Sequence, residues 1–184
     1  MSVYEIGILV GSLRKNSYNR QIAEHLVKLA PESLRFRFIE IGDLPLYNPD
    51  LEGEGAPEAW TRLREDVAAI DGLIFCTPEY NRCMTGALKN AIDVGSRPPG
   101  QSVWRGKPAT VVTVTPGNLG GYAANHSIRK SMVTLGVPVM AQPEVYLGRV
   151  KEILDDDGNI VKEDTREFLQ RVMSAFADWV ERNS

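Results

Sequence analysis

Thr77-Pro78-Glu79-Tyr80-Asn81, followed by Leu88-Lys89-Asn90-Ala91-Ile92-Asp93, is the stretch whose reading decides the fold. It leaves an apolar run, Leu73-Ile74-Phe75-Cys76, that reads as a buried strand bounded by a proline. It then crosses a short polar loop and enters a helix that begins near Thr85-Gly86. Ligands of open α/β sheets lie outside the carboxyl ends of the strands, so this loop stands where one would bind. A second such loop, Gly11-Ser12-Leu13-Arg14-Lys15-Asn16-Ser17-Tyr18-Asn19, follows the first strand.

Outward from these loops, strand and helix alternate to both ends of the chain. Ile6 to Val10 is a short apolar run with a glycine inside it, as expected of a strand buried on both faces. Ile22, Leu26 and Leu29, with Ala23, Val27 and Ala30 beside them, keep helical spacing after Asn19. Phe36, Phe38, Ile39 and Ile41 read as a second strand. Trp60, Leu63, Val67 and Ile70 line one face of a second helix, opened by Pro57. Ala87 to Val94 is the helix after the third strand, and Ala109 to Val114 the fourth strand. A helix bearing Ala124, Ile128, Met132 and Leu135 follows, then a fifth strand around Val137 to Met140. Phe168, Val172, Phe176 and Trp179 form the stripe of the last helix. This order predicts an α/β chain with a flavodoxin-like, doubly wound, five-stranded parallel sheet and helices on both faces. In that fold a mononucleotide lies at the switch point between the first and third strands. With no internal repeat or linker, residues 1–184 read as a single domain.

Two segments break the rhythm. Gly95 to Lys107 is a Gly/Pro-rich loop holding Arg97, Trp104 and Arg105, and this loop, with Trp104, is expected to meet a partner subunit near the ligand. Val145 to Lys162 reads as an excursion around Asp155-Asp156-Asp157-Gly158-Asn159. A calcium loop starting at Asp155 would need glycine where Ile160 stands and a bidentate Glu where Arg166 stands. A solvated hairpin turn is the reading, and no metal is expected.

Composition narrows the function classes. The 184 residues suit one domain with a full core and are too few for two ordinary ones. A net charge of −3, with lysines and arginines scattered, argues against nucleic-acid binding. No stretch approaches the roughly 18 apolar residues of a membrane span, and the start shows no signal-peptide pattern. Cys76 and Cys83 fit neither a CxxC nor a zinc pattern and read as free thiols of a reducing cytoplasm. His25 and His126 are too isolated to suggest a metal site or a catalytic triad.

In the first loop Gly11 lets the backbone turn, and Ser12, Ser17 and Asn19 bring short hydrogen-bonding side chains. Arg14 can fork onto a phosphate, beside the positive end of the following helix. The loop is neither a Walker A motif nor GxGxxG, which favours a terminal phosphate over a pyrophosphate. On spacing alone, Ser17 as a plain helix cap and Arg14 as a solvated charge read equally well. In the second loop Pro78-Glu79-Tyr80-Asn81 supplies rigidity, a polar backbone and an aromatic ring, as a flavin slot needs. A surface βα loop would look the same.

The motifs together resolve this. Gly-Ser-Leu-Arg-x-x-Ser-x-Asn from Gly11, Pro-Glu-Tyr-Asn from Pro78, Gly-x-Leu-Lys-Asn-Ala-Ile-Asp from Gly86 and Pro-Gly-Asn-Leu-Gly-Gly from Pro116 stand in order between Ile6 and Gly148. The chain thereby resembles the NADPH-dependent FMN reductases, and within them the bacterial quinone, chromate and ferric reductases. The resemblance implies noncovalent FMN, with Ser12, Arg14, Ser17, Tyr18 and Asn19 on its phosphate and ribityl chain. It implies Pro78, Glu79, Tyr80 and Asn81 around the ring, and Thr115, Gly117, Asn118, Gly120 and Gly121 closing the site. It implies hydride transfer from NADH or NADPH to the flavin and on to a quinone, chromate, ferric chelate or similar acceptor. No side chain need act as a catalyst there. The alternative is a non-enzymatic electron carrier of the flavodoxin type. Arg82 and Arg97 flank loops at the carboxyl end of the sheet and are the expected contacts for an anionic donor or acceptor, though they read equally well as solvent-facing charges. Arg82-Cys83-Met84-Thr85 departs from the relatives' pattern and puts the acceptor pocket in question. An arginine that pairs with a glutamate in some tetrameric relatives is replaced by Ala123, although Glu144 remains, so a homodimer is expected, with a tetramer as the alternative.

Overall fold

β1 (Tyr4–Val10) pairs on one side with β2 (Leu34–Ile39) and on the other with β3 (Gly72–Thr77), all parallel. The computed structural model describes residues 2–53 and 55–184. β4 (Ala109–Val114) lies beside β3, and β5 (Val145–Leu147) beside β4, giving the order β2-β1-β3-β4-β5 in one parallel sheet. The helices are α1 (Tyr18–Leu29), α2 (Glu58–Ala68), α3 (Gly86–Gly95), α4 (Tyr122–Leu135) and α5 (Glu163–Asn183). This is the flavodoxin-like α/β sheet that the apolar pattern predicts.

The sheet divides two cores by simple alternation of side chains. Ile6, Ile8, Ile74 and Cys76 face α1 and α5, meeting Ile22, Leu26, Val172 and Phe176. Leu9, Leu73, Phe75 and Val111 face the other helices, meeting Leu63, Leu88, Ile128 and Met132. Every residue of β3 and β4 is buried, which is why those strands read as unbroken apolar runs. Gly7 is small because the side chains of Ile70 and Ile39 fill the space a Cβ would take. Ile70 itself lies past the end of α2, so it packs from the turn and not from the helix.

The fifth strand corrects the sequence reading. Val137 to Met140 makes a single bridge, Ala109 with Val139. There Ala109 N–H donates to Pro138 O at 3.0 Å and Met140 N–H to Ala109 O at 2.8 Å. Pro138 and Pro143 carry no N–H to continue a ladder. The chain therefore leaves the sheet and rejoins it at Val145, in a segment that reads as an excursion. Trp179 of α5 pins the departure by donating from Nε1 to Pro138 O at 2.9 Å.

Trp104 is the second correction. Its ring is fully buried, 6.1 Å from that of Phe75, and Nε1 donates to Ile92 O at 3.0 Å. A Cβ on Gly95 would lie 2.6 Å from the indole, so the helix end is shaped around it. Trp104 is a core residue and not a surface anchor for a partner. The acidic turn is a hairpin, closed by a Leu154–Ile160 bridge. Asp155 Oδ1 accepts from Asp157 N–H at 3.1 Å and Asn159 N–H at 2.7 Å. Among the described residues no helix is long and apolar enough to cross a membrane.

Candidate functional site

Gly11 ends β1 with its N–H donating to Cys76 O at 2.8 Å. It has to be glycine, since a Cβ there would collide with Thr77 Oγ1. Thr85 Oγ1 donates to Gly11 O at 2.6 Å and accepts from Leu88 N–H at 3.3 Å, which caps α3. One buried hydroxyl thus joins the loop after β1 to the helix after β3.

Ser17 is the N-cap of α1, and its Oγ accepts from Arg20 N–H at 3.3 Å. Gln21 N–H is satisfied by Ser17 O at 3.1 Å. The first-turn N–H groups of Tyr18 and Asn19 are left facing the loop, as helix geometry requires. The side chain of Asn19 is buried and donates from Nδ2 to Val114 O at 3.3 Å. What Asn19 offers a ligand is therefore its backbone N–H, while its amide ties α1 to the end of β4. Arg14 is exposed and Ser12 half-buried at the mouth.

In the loop after β3, Pro78 is buried and Tyr80 half-exposed. Tyr80 and Cys83 exchange both backbone hydrogen bonds, at 3.0 and 3.1 Å, around Asn81 and Arg82. Those two central residues have φ of 52° and 62°, a tight left-handed turn made without glycine. Such conformations cost L-residues about 1–2 kcal/mol each. Arg82 extends outward from the turn, its side chain 71% exposed and 3.4 Å from Glu79.

Glu79 has a task that sequence reasoning missed. Its Oε2 accepts from Ala124 N–H at 3.1 Å, in the first turn of α4. The N-cap of α4 is Gly121, which has no side chain to do this. Glu79 thus caps a helix from a different loop, and no local motif announces that.

The loop after β4 is pressed against the β5 strand and the turn that follows it. Thr115 N–H donates to Leu147 O at 2.9 Å, and Arg149 N–H to Gly117 O at 3.1 Å. Arg149 Nε donates to Asn118 Oδ1 at 2.8 Å. Gly120 has φ of 60°, and a Cβ there would lie 2.6 Å from the Tyr146 carbonyl carbon. Leu119 and Tyr122 are exposed on the rim. His126 is not isolated, since Tyr146 Oη and His126 Nε2 lie 3.1 Å apart with Tyr122 against both rings. Burial, and then the neighbouring Glu144, push the Tyr146 hydroxyl up to about 12.

Ser12, Arg14, Ser17, Tyr18, Asn19, Pro78 to Arg82 and Thr115 to Gly121 all fall at the carboxyl ends of β1, β3 and β4. Arg97 does not. α3 leaves that end and runs back for ten residues, about 15 Å. Arg97 follows it, on the loop that enters β4 at its amino end. Within one chain Arg97 is thus at the opposite end of the sheet, because the direction of the helix carries it there.

Free helix N–H groups, an arginine in no ion pair among the described residues and a glycine-lined approach suit a phosphate. The exposed loops after β3 and β4 stand beside each other at the carboxyl ends of those strands. The chain as a whole is similar to known proteins. The family model for NADPH-dependent FMN reductase matches residues 4–152. A quinone reductase of Pseudomonas putida is 54% identical over 98% of this chain and 97% of its own. A 2-hydroxy-1,4-benzoquinone reductase of a Burkholderia species is 44% identical, covering 96% of each chain. The solved structure of FerB, a flavoenzyme NAD(P)H:(acceptor) oxidoreductase from Paracoccus denitrificans, superposes with a TM-score of 0.92 at 41% identity, covering 98% of this chain and 99% of that one. With the family model matched over residues 4–152 and a relative 54% identical over 98% of its length, the chain belongs to the NADPH-dependent FMN reductase family.

Proposed function

We propose that this chain is an FMN-dependent NAD(P)H:quinone oxidoreductase. The observation that carries the reading is the meeting of three loops at the carboxyl ends of β1, β3 and β4, in a chain of the FMN reductase family. When bound, FMN supplies the two-electron chemistry between NAD(P)H and the acceptor. Arg14, Ser12 and the N–H groups of Tyr18 and Asn19 hold its phosphate, with Ser17 fixing the start of α1. Pro78, Glu79, Tyr80 and Asn81 frame the ring on one side. The backbone of Thr115 to Gly121 would lie toward the flavin, where its N–H groups would offset negative charge.

Arg82 draws anionic donors or acceptors to the mouth from its exposed turn. Arg97 can serve the site only from a second copy, in a homodimer whose two-fold axis sets one chain's strand starts beside the other's strand ends. The Pseudomonas putida and Burkholderia relatives are quinone reductases, which supports a quinone as the acceptor, with chromate and ferric chelates as alternatives. The chain works as one domain in the cytoplasm.

The test is the visible spectrum of the protein loaded with FMN, before and after anaerobic NADPH or NADH, and then a quinone. Bleaching to the two-electron form, with colour restored by the quinone, is the expected result. Flavin that neither nucleotide reduces, and that dithionite takes through a stable semiquinone, would make the protein an electron carrier.

A further inference from the structure

A cleft of about 530 Å³ is on the outer side of the phosphate loop, turned away from β3. One wall is Ser12 to Lys15, and the other is the end of β2 with the turn after it, Phe38 to Gly42. Its charges do not cancel. Arg14 and Lys15 are exposed and take part in no ion pair among the described residues. Arg20 sets its guanidinium over the Phe38 ring at 3.6 Å, and among the described residues only its Nε is engaged, with Glu24 at 3.0 Å. Glu40, the acid of the lining, is turned onto its own backbone. Its Oε1 accepts from Ile41 N–H at 3.0 Å and Gly42 N–H at 2.7 Å.

The cleft therefore offers a flat, cation-topped aromatic platform with a free ammonium beside it and an exposed Leu13 opposite. The single phosphate of FMN would take Ser12, Arg14 and the α1 N-terminus, which border the cleft, and would leave Lys15 and the Arg20–Phe38 platform free. A planar base bearing its own phosphate does. Guanidinium groups stack on aromatic rings and fork onto phosphates in the same pose.

We propose that this cleft binds the adenosine 2′-phosphate end of NADPH, with the base on the Arg20–Phe38 stack and the phosphate held by Lys15 and Arg20. The proposal rests on the reading of NAD(P)H as electron donor. β2 and β3 are two strand spacings apart, about 10 Å. The two halves of a dinucleotide can span that, with the nicotinamide over the β3 and β4 loops and the adenosine at β2. NADH lacks the 2′-phosphate and gains nothing from Lys15, so the cleft makes the enzyme prefer NADPH.

The experiment titrates FMN-loaded protein with 2′,5′-ADP and, separately, 5′-AMP by calorimetry, for wild type, Lys15→Ala and Arg20→Lys. Wild type should bind 2′,5′-ADP more tightly than 5′-AMP. Lys15→Ala should weaken 2′,5′-ADP about fivefold, as for loss of an exposed charge pair, and raise the KM for NADPH but not for NADH. Arg20→Lys keeps the charge and loses the flat stack, so it should weaken both ligands. Equal affinity of wild type and variants for 2′,5′-ADP would overturn the proposal. So would 2′,5′-ADP that binds only by displacing FMN, since the cleft would then be the phosphate loop alone. Failure of the donor reading shows itself separately, as loaded flavin that neither nucleotide reduces.

Discussion

Replacing Glu79 with alanine tests whether the site is built on a helix cap shared between two loops. The Glu79 side chain is 13% exposed, and its Oε2 accepts from Ala124 N–H at 3.1 Å. Losing a side-chain cap costs typically about 1 kcal/mol, and losing a carboxylate at a helix N-terminus about 0.3–1 kcal/mol more. The partly buried position puts the sum near the upper end, at about 2 kcal/mol. Arg82 adds little, because its side chain is 71% exposed and such pairs are worth ~0–1 kcal/mol. For a chain of this length about 2 kcal/mol lowers Tm by roughly 4–8 °C. The assay is thermal unfolding followed by circular dichroism on FMN-stripped protein, so that ligand binding does not contribute to Tm. Glu79→Gln keeps an acceptor and loses the charge, and should fall by about half as much. Arg82→Ala should leave Tm within about 1 °C. A stripped Glu79→Ala protein that melts with wild type, yet binds FMN poorly, would refute the reasoning and make Glu79 a ligand contact only.

Trp104→Ala should cost about 3–5 kcal/mol, read from the urea midpoint, because it empties a fully buried ring site. A variant as stable as wild type would place that ring outside the core. Gly120→Ala forces a side chain onto φ of 60° and against the Tyr146 carbonyl. FMN affinity by fluorescence titration should drop about tenfold or more, given strain of about 1–3 kcal/mol, and an unchanged Kd would show that the loop does not touch the ligand. The raised Tyr146 hydroxyl makes a high-pH prediction. The folded value near 12 lies above the ordinary 10.0, so its stabilising contribution is whole below pH 10 and fades as pH rises through 12. Ultraviolet titration should show one of the six tyrosines ionising late, and that late step should vanish in Tyr146→Phe.

The central strands were legible because burial on both faces leaves no polar alternation to misread, as in Leu73 to Cys76. The two loops beside them were legible because Gly11 and Pro78 punctuate the strand ends. The sequence left Ser17 open between cap and phosphate ligand, and the Arg20 N–H bond shows it as a cap. β5 was misplaced because Val137 to Met140 is the more apolar segment, while strand continuation depends on N–H groups that prolines lack. Trp104 was misread because its neighbours are glycines and prolines, which speak for the loop's backbone and say nothing of one ring folded inward. Arg97 needed the direction of α3, which element order implies but residue spacing does not. Glu79 capping α4 joins positions 45 apart, beyond any local pattern.

The margins of the sheet carry a consequence for how this molecule can associate. An unpaired strand edge is a template on which another chain can lengthen the sheet. β2, on one margin, alternates exposed Arg35 and Arg37 with its inward phenylalanines, so a second strand approaching there meets paired cations. β5, on the other, offers only three residues, and the chain before it is held by Trp179 and interrupted by Pro138 and Pro143. Growth by strand addition is blocked at both ends. Association, whether with a second copy or with another protein, is left to helix faces and to the loops at the strand ends, so two copies can join without fibrous stacking and crowding should not turn the sheet into a seed for aggregation.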